Sequence, residues 1–284
     1  MNVKKMIEQM TTLPLSIIPI LILTFGFIYF AQNWMIFHNT NDPESRIFLR
    51  DRPGFREVVV TAESGKTYHG MMYQASSGKA PLVIYFGGNA EVSYTNLLMR
   101  ELLDQWGYFA GYHYLFVDYE GYGFNRGRAS YLNMYEQSLA VFDYAVALPN
   151  VDSSRIVAMG FSLGTGSAVH LAANRPVAGL IIVAPFANGY DLYNNVLPIF
   201  FGPMRLLVRQ KLPSDEFAPK VTSPVLIIAS RGDEIVPFSS SERLAKLFPG
   251  QVGFMKLDRV RHNFIFQPSV FVRIQSFLES IASK

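Results

Sequence analysis

The sequence predicts an α/β fold, a mostly parallel twisted sheet covered by helices on both faces, with a membrane-spanning helix ahead of it. Three observations carry this. Short, wholly apolar runs such as "PLVIYF", "GLIIVAP" and "PVLIIAS" recur along the chain, and longer stretches with helical spacing separate them. An uncharged stretch extends from Leu13 to Phe37. A strand buried on both faces has no polar side to show, so it reads as a continuous apolar run; alternation would mark a sheet wet on one side.

The first element is the uncharged segment. Its core, "LPLSIIPILILTFGFIYF", is close to the ~20 residues needed to cross a bilayer. Tyr29 and Trp34 suit the interface as aromatic anchors. Pro14 and Pro19 stand near its start, where a helix tolerates them best. A secretory signal peptide is the competing reading, with Lys4 and Lys5 as its basic region; the stretch is long for that, and no A-x-A-like site follows. A buried core helix is the third reading. Residues 1–37 are expected to form an uncleaved N-terminal anchor. Lys4 and Lys5 lie closer to the segment than Arg46, Arg50 and Arg52, which favours a single-pass protein with a cytoplasmic N-terminus and an extracytoplasmic catalytic domain.

Residues 38–56 are polar and hold two prolines, and are expected to be a juxtamembrane linker. "EVVVTAE" and "YHGMMYQ" then predict two strands joined at Ser64-Gly65-Lys66. "PLVIYF" is followed by helical "TNLLMRELLDQWG", "YLFVDY" by "MYEQSLAVFDYAVAL", and "RIVAMGF" by "GSAVHLAAN". "GLIIVAP", "PVLIIAS" with "SSERLAKLF", and "VGFMKLD" with "PSVFVRIQSFLESIA" complete the series. Residues 57–284 therefore form one domain. Between "IIVAP" and "SPVLIIAS" lie about forty residues, more than one connecting helix needs. This excursion, about 186–222, contains "NNVLPIFFGPMRLLVRQKLP". It is either a crossing helix on the sheet or a small cap whose apolar face lines a pocket or touches the membrane.

Bulk composition excludes some chemistry. The chain of 284 residues has no cysteine, so disulfides, thiolate metal sites and a cysteine nucleophile are ruled out. A formal charge of +3 without a basic block gives no nucleic-acid surface. No metal or cofactor motif is present. The glycine-rich "YEGYGFNRG" lacks both the Lys-Ser/Thr and the spacing of phosphate loops, and reads as a cleft wall. Asp118 before it reads as a structural carboxylate.

The chemistry centres on Gly160-Phe161-Ser162-Leu163-Gly164. A G-x-S-x-G between strand and helix forces a sharp turn that exposes the serine, and only small neighbours let strand and helix approach. The pentapeptide alone also occurs in ordinary glycine-rich turns; the strand before and helix after it give it meaning. A serine hydroxyl needs a base and an acid to orient that base. Asp233 follows the strand "PVLIIAS", and His262 follows "VGFMKLD". Both lie past carboxyl ends of strands, where open α/β sheets build their sites. Of five histidines, His38 lies in the linker, His69 in the early hairpin, His113 ahead of a strand and His170 inside a helix. Glu234 and Asp258 compete with Asp233; the Gly-Asp-x-x-Val-Pro turn favours Asp233. The expected anion site uses backbone N–H groups of Leu163, after the nucleophile, and of Asn89, in the loop "GGNAEV".

On "YFGGNAE", "VDYEGYGFNRG", "GFSLGTGSAVHLA", "SRGDEIVP" and "RHNF" together, the chain resembles the α/β-hydrolases, in particular the subgroup with an N-terminal membrane anchor and no large lid. The resemblance covers roughly residues 57–283. It implies the α/β-hydrolase fold and a serine hydrolase using Ser162, Asp233 and His262. It departs from that family at Gly87, where His is usual, at Glu120, where Arg is usual, and at Arg261, where a small residue is usual. The subgroup includes lipid-directed hydrolases and protein depalmitoylases, which implies an acylated or small-molecule substrate held as an ester or thioester. A serine peptidase, or a non-catalytic binding protein on the same fold, is the alternative. The anchor contributes no group to this set, so the domain is expected to build its core without residues 1–37.

Overall fold

The computed structural model describes residues 17–93 and 111–282. Eight strands form one sheet: β1 (Phe55–Thr61), β2 (Thr67–Tyr73), β3 (Ala80–Phe86), β4 (His113–Val117), β5 (Val151–Phe161), β6 (Gly179–Val183), β7 (Val225–Ser230) and β8 (Val252–Leu257), in the spatial order β1-β2-β4-β3-β5-β6-β7-β8. β1–β2 and β2–β4 pair antiparallel and all other neighbours pair parallel. Crossovers thus place the carboxyl ends of β3 to β8 along one rim of the sheet.

β3, β4, β6 and β7 are buried at every residue, as their mostly apolar sequences require. Alternate side chains of one strand enter opposite layers. Leu82, Ile84, Ile182 and Ile227 join one core with Met134, Val141 and Val169; Val83, Ile181, Val183 and Ile228 join the other with Val270, Ile274 and Phe277. The first layer is closed by α3 (Tyr131–Val146) and α4 (Gly164–Asn174), the second by α8 (Pro268–Ala282). Numbering along the chain, the other helices among the described residues are α1 (Ile17–Ile36), α2 (Pro43–Arg50), α5 (Gly189–Val196), α6 (Ser214–Phe217) and α7 (Phe238–Ala245). The helix expected over "TNLLMRELLDQWG" lies outside the described residues.

α1 is long and apolar enough to cross a membrane, with mean hydropathy 1.6 and only 6% of its most apolar window buried. Its C-terminal end differs from the expectation. Phe37 is part of the first core, and Gln32 is buried. The Gln32 side chain donates to Leu207 O (2.5 Å) and accepts from Arg209 N (2.7 Å), while Asn33 donates to Ala129 O (2.8 Å) and accepts from Gln210 Nε2 (2.8 Å). An apolar helix with two amides near its end is explained by this docking, because buried amides must be hydrogen-bonded. Residue 37 is therefore not a structural edge between anchor and domain.

The linker expected over 38–56 is also more ordered than its polarity suggests. α2 occupies its middle and buries Leu49 completely in the second core. Thr40 O accepts from Gly123 N at 2.8 Å, and Arg46 pairs with Glu57 through two hydrogen bonds. A proline at the first helical position with Glu44 in the first turn is the local signal for this helix.

The excursion 186–222 is broken into α5, α6 and two 3₁₀ segments, over 202–207 and 218–220. No single helix crosses the sheet there. Val196 and Leu206 are 84% and 83% exposed, so this region shows apolar side chains outward.

Candidate active site

β5 ends at Phe161 and α4 starts at Gly164, which leaves Ser162 on the bend. Its φ is +50°, a left-handed conformation that costs a non-glycine residue on the order of 1–3 kcal/mol. The cost is offset by bonds that fix the turn: Ser162 N donates to Val183 O (2.9 Å), and Ser162 O accepts from Thr165 N (3.0 Å) and Thr165 Oγ1 (2.6 Å). The flanking glycines are required by close approach. A Cβ on Gly160 would stand 2.5 Å from Gly164 O, and one on Gly164 would collide with Phe86 O.

His262 and Asp233 meet Ser162. His262 Nε2 lies 2.9 Å from Ser162 Oγ, and His262 Nδ1 lies 2.7 Å from Asp233 Oδ2. A carboxylate only accepts, so Nδ1 carries the proton and Nε2 is the acceptor towards the serine. The other Asp233 oxygen accepts from Ile235 N (2.9 Å) and Val236 N (2.8 Å), which fixes the carboxylate at the tip of β7. The rival acids stand elsewhere. Asp258 is 75% exposed and pairs with Arg231. Glu234 turns away from the His262 ring. Its Oε2 accepts from the backbone N of His262 (3.1 Å) and its Oε1 pairs with Arg261 (3.0 Å). The His262 N–H holds the Glu234 carboxyl below the usual range, with Arg261 adding to it. Arg261 is thereby engaged with Glu234, on the same loop as His262.

The loop after β3 carries Asn89. Burial keeps the Tyr119 and Tyr122 phenols protonated by raising their pKa. Tyr119 donates to Gly87 O (2.9 Å) and Tyr122 to Asn89 Oδ1 (2.5 Å). Glu91 accepts from Gly88 N (2.5 Å) and from Tyr85 (2.9 Å). The sequence reading missed what the Asn89 side chain does: it donates to Ile36 O (2.7 Å) and accepts from His38 N (3.0 Å). Leu163 is the N-cap of α4, so its amide has no carbonyl upstream within the helix.

These groups share a cavity of about 570 Å³, and Ser162, His262, Asn89 and Leu163 all line it. Phe161, Leu192, Val196, Leu197, Phe200, Val208, Leu212 and Ile235 give it apolar walls, and Ile28, Met35 and Ile36 of α1 line it as well. His38, expected in a linker, is also at the wall. No local pattern announces a wall residue contributed by α1. Phe161 was legible only as a motif position, yet its ring stacks on His262 at 5.1 Å and meets Phe266 at 5.1 Å.

A family model described as serine hydrolase matches residues 145–262, the segment that holds Ser162, Asp233 and His262. The uncharacterized protein Rv2307c of Mycobacterium tuberculosis is 34% identical over 74% of this chain and 73% of its own length. The human protein ABHD12B is 25% identical over 70% of this chain and 60% of its own length. This chain belongs to the α/β-hydrolase family of serine hydrolases. In fold, the α/β-hydrolase resembles the Pyrococcus furiosus esterase Pf2001, with a TM-score of 0.67 at 17% identity over 86% of this chain and 97% of that one.

One further group marks this α/β-hydrolase. Asp118, at the end of β4, is 2% exposed, and its Oδ1 accepts from Ser93 N (2.7 Å) and Ser93 Oγ (2.5 Å). Burial pushes its carboxyl up to about 7, against the pull of the Ser93 bonds and with help from the nearby Glu91 charge. It sits behind the Asn89 loop, and its contacts are those of a structural carboxylate.

Proposed function

We propose that the protein cleaves carboxylic esters or thioesters of long acyl groups, and that Ser162, His262 and Asp233 carry the reaction through an acyl-enzyme. His262 Nε2 takes the Ser162 proton as Oγ attacks the acyl carbon. The carbonyl oxygen gains negative charge and is met by the N–H groups of Leu163 and Asn89. Collapse breaks the bond to the alcohol or thiol, which leaves with the proton from His262. Water then attacks the acyl carbon by the same route, releasing the acid and restoring the serine. Asp233 holds the imidazole tautomer and offsets its charge while it is protonated.

The observation that carries this reading is the hydrogen-bond chain from Asp233 through His262 to Ser162, ending in a cavity whose walls are mostly apolar. Such walls reward an aliphatic acyl chain at about 0.8 kcal/mol per buried methylene and offer little to a polar peptide backbone. The apolar helix α1 supports a membrane anchor, and with it a substrate taken from the bilayer surface. The test is a substrate series on the full-length protein in detergent: p-nitrophenyl esters and acyl thioesters of rising chain length beside peptide anilides. Rates that climb with acyl length support the reading. Turnover confined to peptides would overturn it in favour of a peptidase, and none at all in favour of a binding protein.

A further inference from the structure

The face of α1 turned to the cavity has helical spacing: Ile28, Gln32, Met35 and Ile36 stand at i, i+4, i+7 and i+8. Gln32, in the middle of it, is tied to the cap backbone at Leu207, Arg209 and Gln210. The other side of the helix is open: Leu23 and Phe30 are 73% and 74% exposed. One helix thus presents one face outward and the other to the space beside Ser162. Across that space stand Val196 and Phe200 of the cap, and Val196 is itself largely exposed.

We propose that the membrane helix is a wall of the substrate site, and that Ile28 and Met35 set the acyl-chain length the enzyme accepts. The acyl chain leaves the Ser162 end of the cavity and runs between α1 and the cap, along Met35 and then Ile28. Met35 and Ile28 are seven residues apart, about 10 Å along the helix axis. The acyl chain reaches the outer side of the cap where α1 continues towards the lipid. The Gln32 docking holds the helix at a fixed spacing from the cap, so a buried polar side chain sets the width of an apolar slot. The inference rests on Ser162 being the nucleophile.

The test uses full-length protein in detergent micelles and two fluorophosphonate probes, one with an ethyl chain and one with a hexadecyl chain. Labelling rates are read for each. Wild type should take up the hexadecyl probe faster. Ile28→Trp and Met35→Trp, which fill the slot, should lower the hexadecyl-to-ethyl rate ratio about tenfold or more. Ile28→Ala, a change a helix tolerates well, widens the slot and should raise the hexadecyl-to-ethyl rate ratio. Leu23→Trp, on the outward face, should leave the ratio unchanged. Ethyl-probe labelling reports that each variant has folded, and Ile28→Ala keeps the test open where the bulky variants do not. Unchanged ratios in all three slot variants that label would overturn the wall while leaving Ser162 as the nucleophile. Failure of both probes to label wild type at Ser162 would overturn the nucleophile reading, and the inference with it; failure of the hexadecyl probe alone would overturn only the slot.

Discussion

The side-chain amide of Asn89 donates to the carbonyl of Ile36 at 2.7 Å. One bond thus joins the loop that faces the Ser162 cavity to the last residue of the apolar helix. The same Asn89 accepts from His38 N and Tyr122. The end of α1 and the predicted anion site are therefore joined directly.

Removal of residues 1–37 is accordingly expected to inactivate the enzyme, short soluble esters included. It deletes Phe37 from the core, worth about 1.5–3 kcal/mol, and strips Asn89 of a partner. Removal of residues 1–27 leaves Gln32, Asn33 and Phe37 in place and is expected to keep short-ester turnover. Purified truncations compared by thermal melting and p-nitrophenyl acetate hydrolysis decide this. Equal activity in the two would show that the Asn89 loop holds its shape alone.

Asp233→Asn is expected to lower kcat by roughly 10⁴, because an amide facing Nδ1 favours the wrong tautomer. Asp258→Asn, which loses an exposed pair with Arg231, is expected to change kcat less than about twofold. Steady-state kinetics of both variants on one ester provide the comparison. The reverse order would reassign the acid.

Glu234→Ala is expected to lower kcat with KM little changed, by up to about 10²-fold, since Glu234 holds the backbone N–H of His262 rather than its ring. Glu234→Gln keeps an acceptor there and should recover most of the rate. If neither variant differs from wild type, the loop is held by Asp233 and the Phe161 ring alone.

Asp118 gives a stability prediction with a definite sign. Its carboxyl titrates near 7 in the folded protein, against an ordinary value of 3.8. Between those pH values the folded state keeps a proton the unfolded state has lost. The contribution is present in full below pH ~4 and is lost as pH rises through ~7, at up to ~1.4 kcal/mol per pH unit. Asp118→Asn retains an oxygen for Ser93 and removes the titration. Denaturant midpoints measured from pH 4 to 8 should fall in wild type relative to the variant. Parallel curves would mean that Asp118 is ionised in both states.

What the sequence made legible was what repeats locally. The fully apolar strands announced a sheet buried on both faces, and the Gly160 and Gly164 spacing announced a turn with no room for a Cβ. Asp233 was separable from Asp258 by its turn, and the structure puts it 2.7 Å from His262. What stayed hidden depends on contacts distant in sequence. Gln32 meets Leu207 across 175 positions, and Asn89 meets Ile36 across 53. A polar stretch with two prolines looked like a linker because α2 is eight residues long and buries only Leu49 deeply. The paired amides Gln32 and Asn33 in an otherwise apolar helix were the one visible sign of docking.

The central claim is an acyl-enzyme on Ser162. Full-length protein mixed with excess p-nitrophenyl octanoate and quenched in acid within the first turnovers tests it directly, by the mass of the peptide that contains Ser162. The account predicts that this peptide gains one octanoyl group, that its acylation accompanies a burst of p-nitrophenolate, and that both vanish in Ser162→Ala. Acylation of a different residue, or turnover that persists in Ser162→Ala, would contradict it.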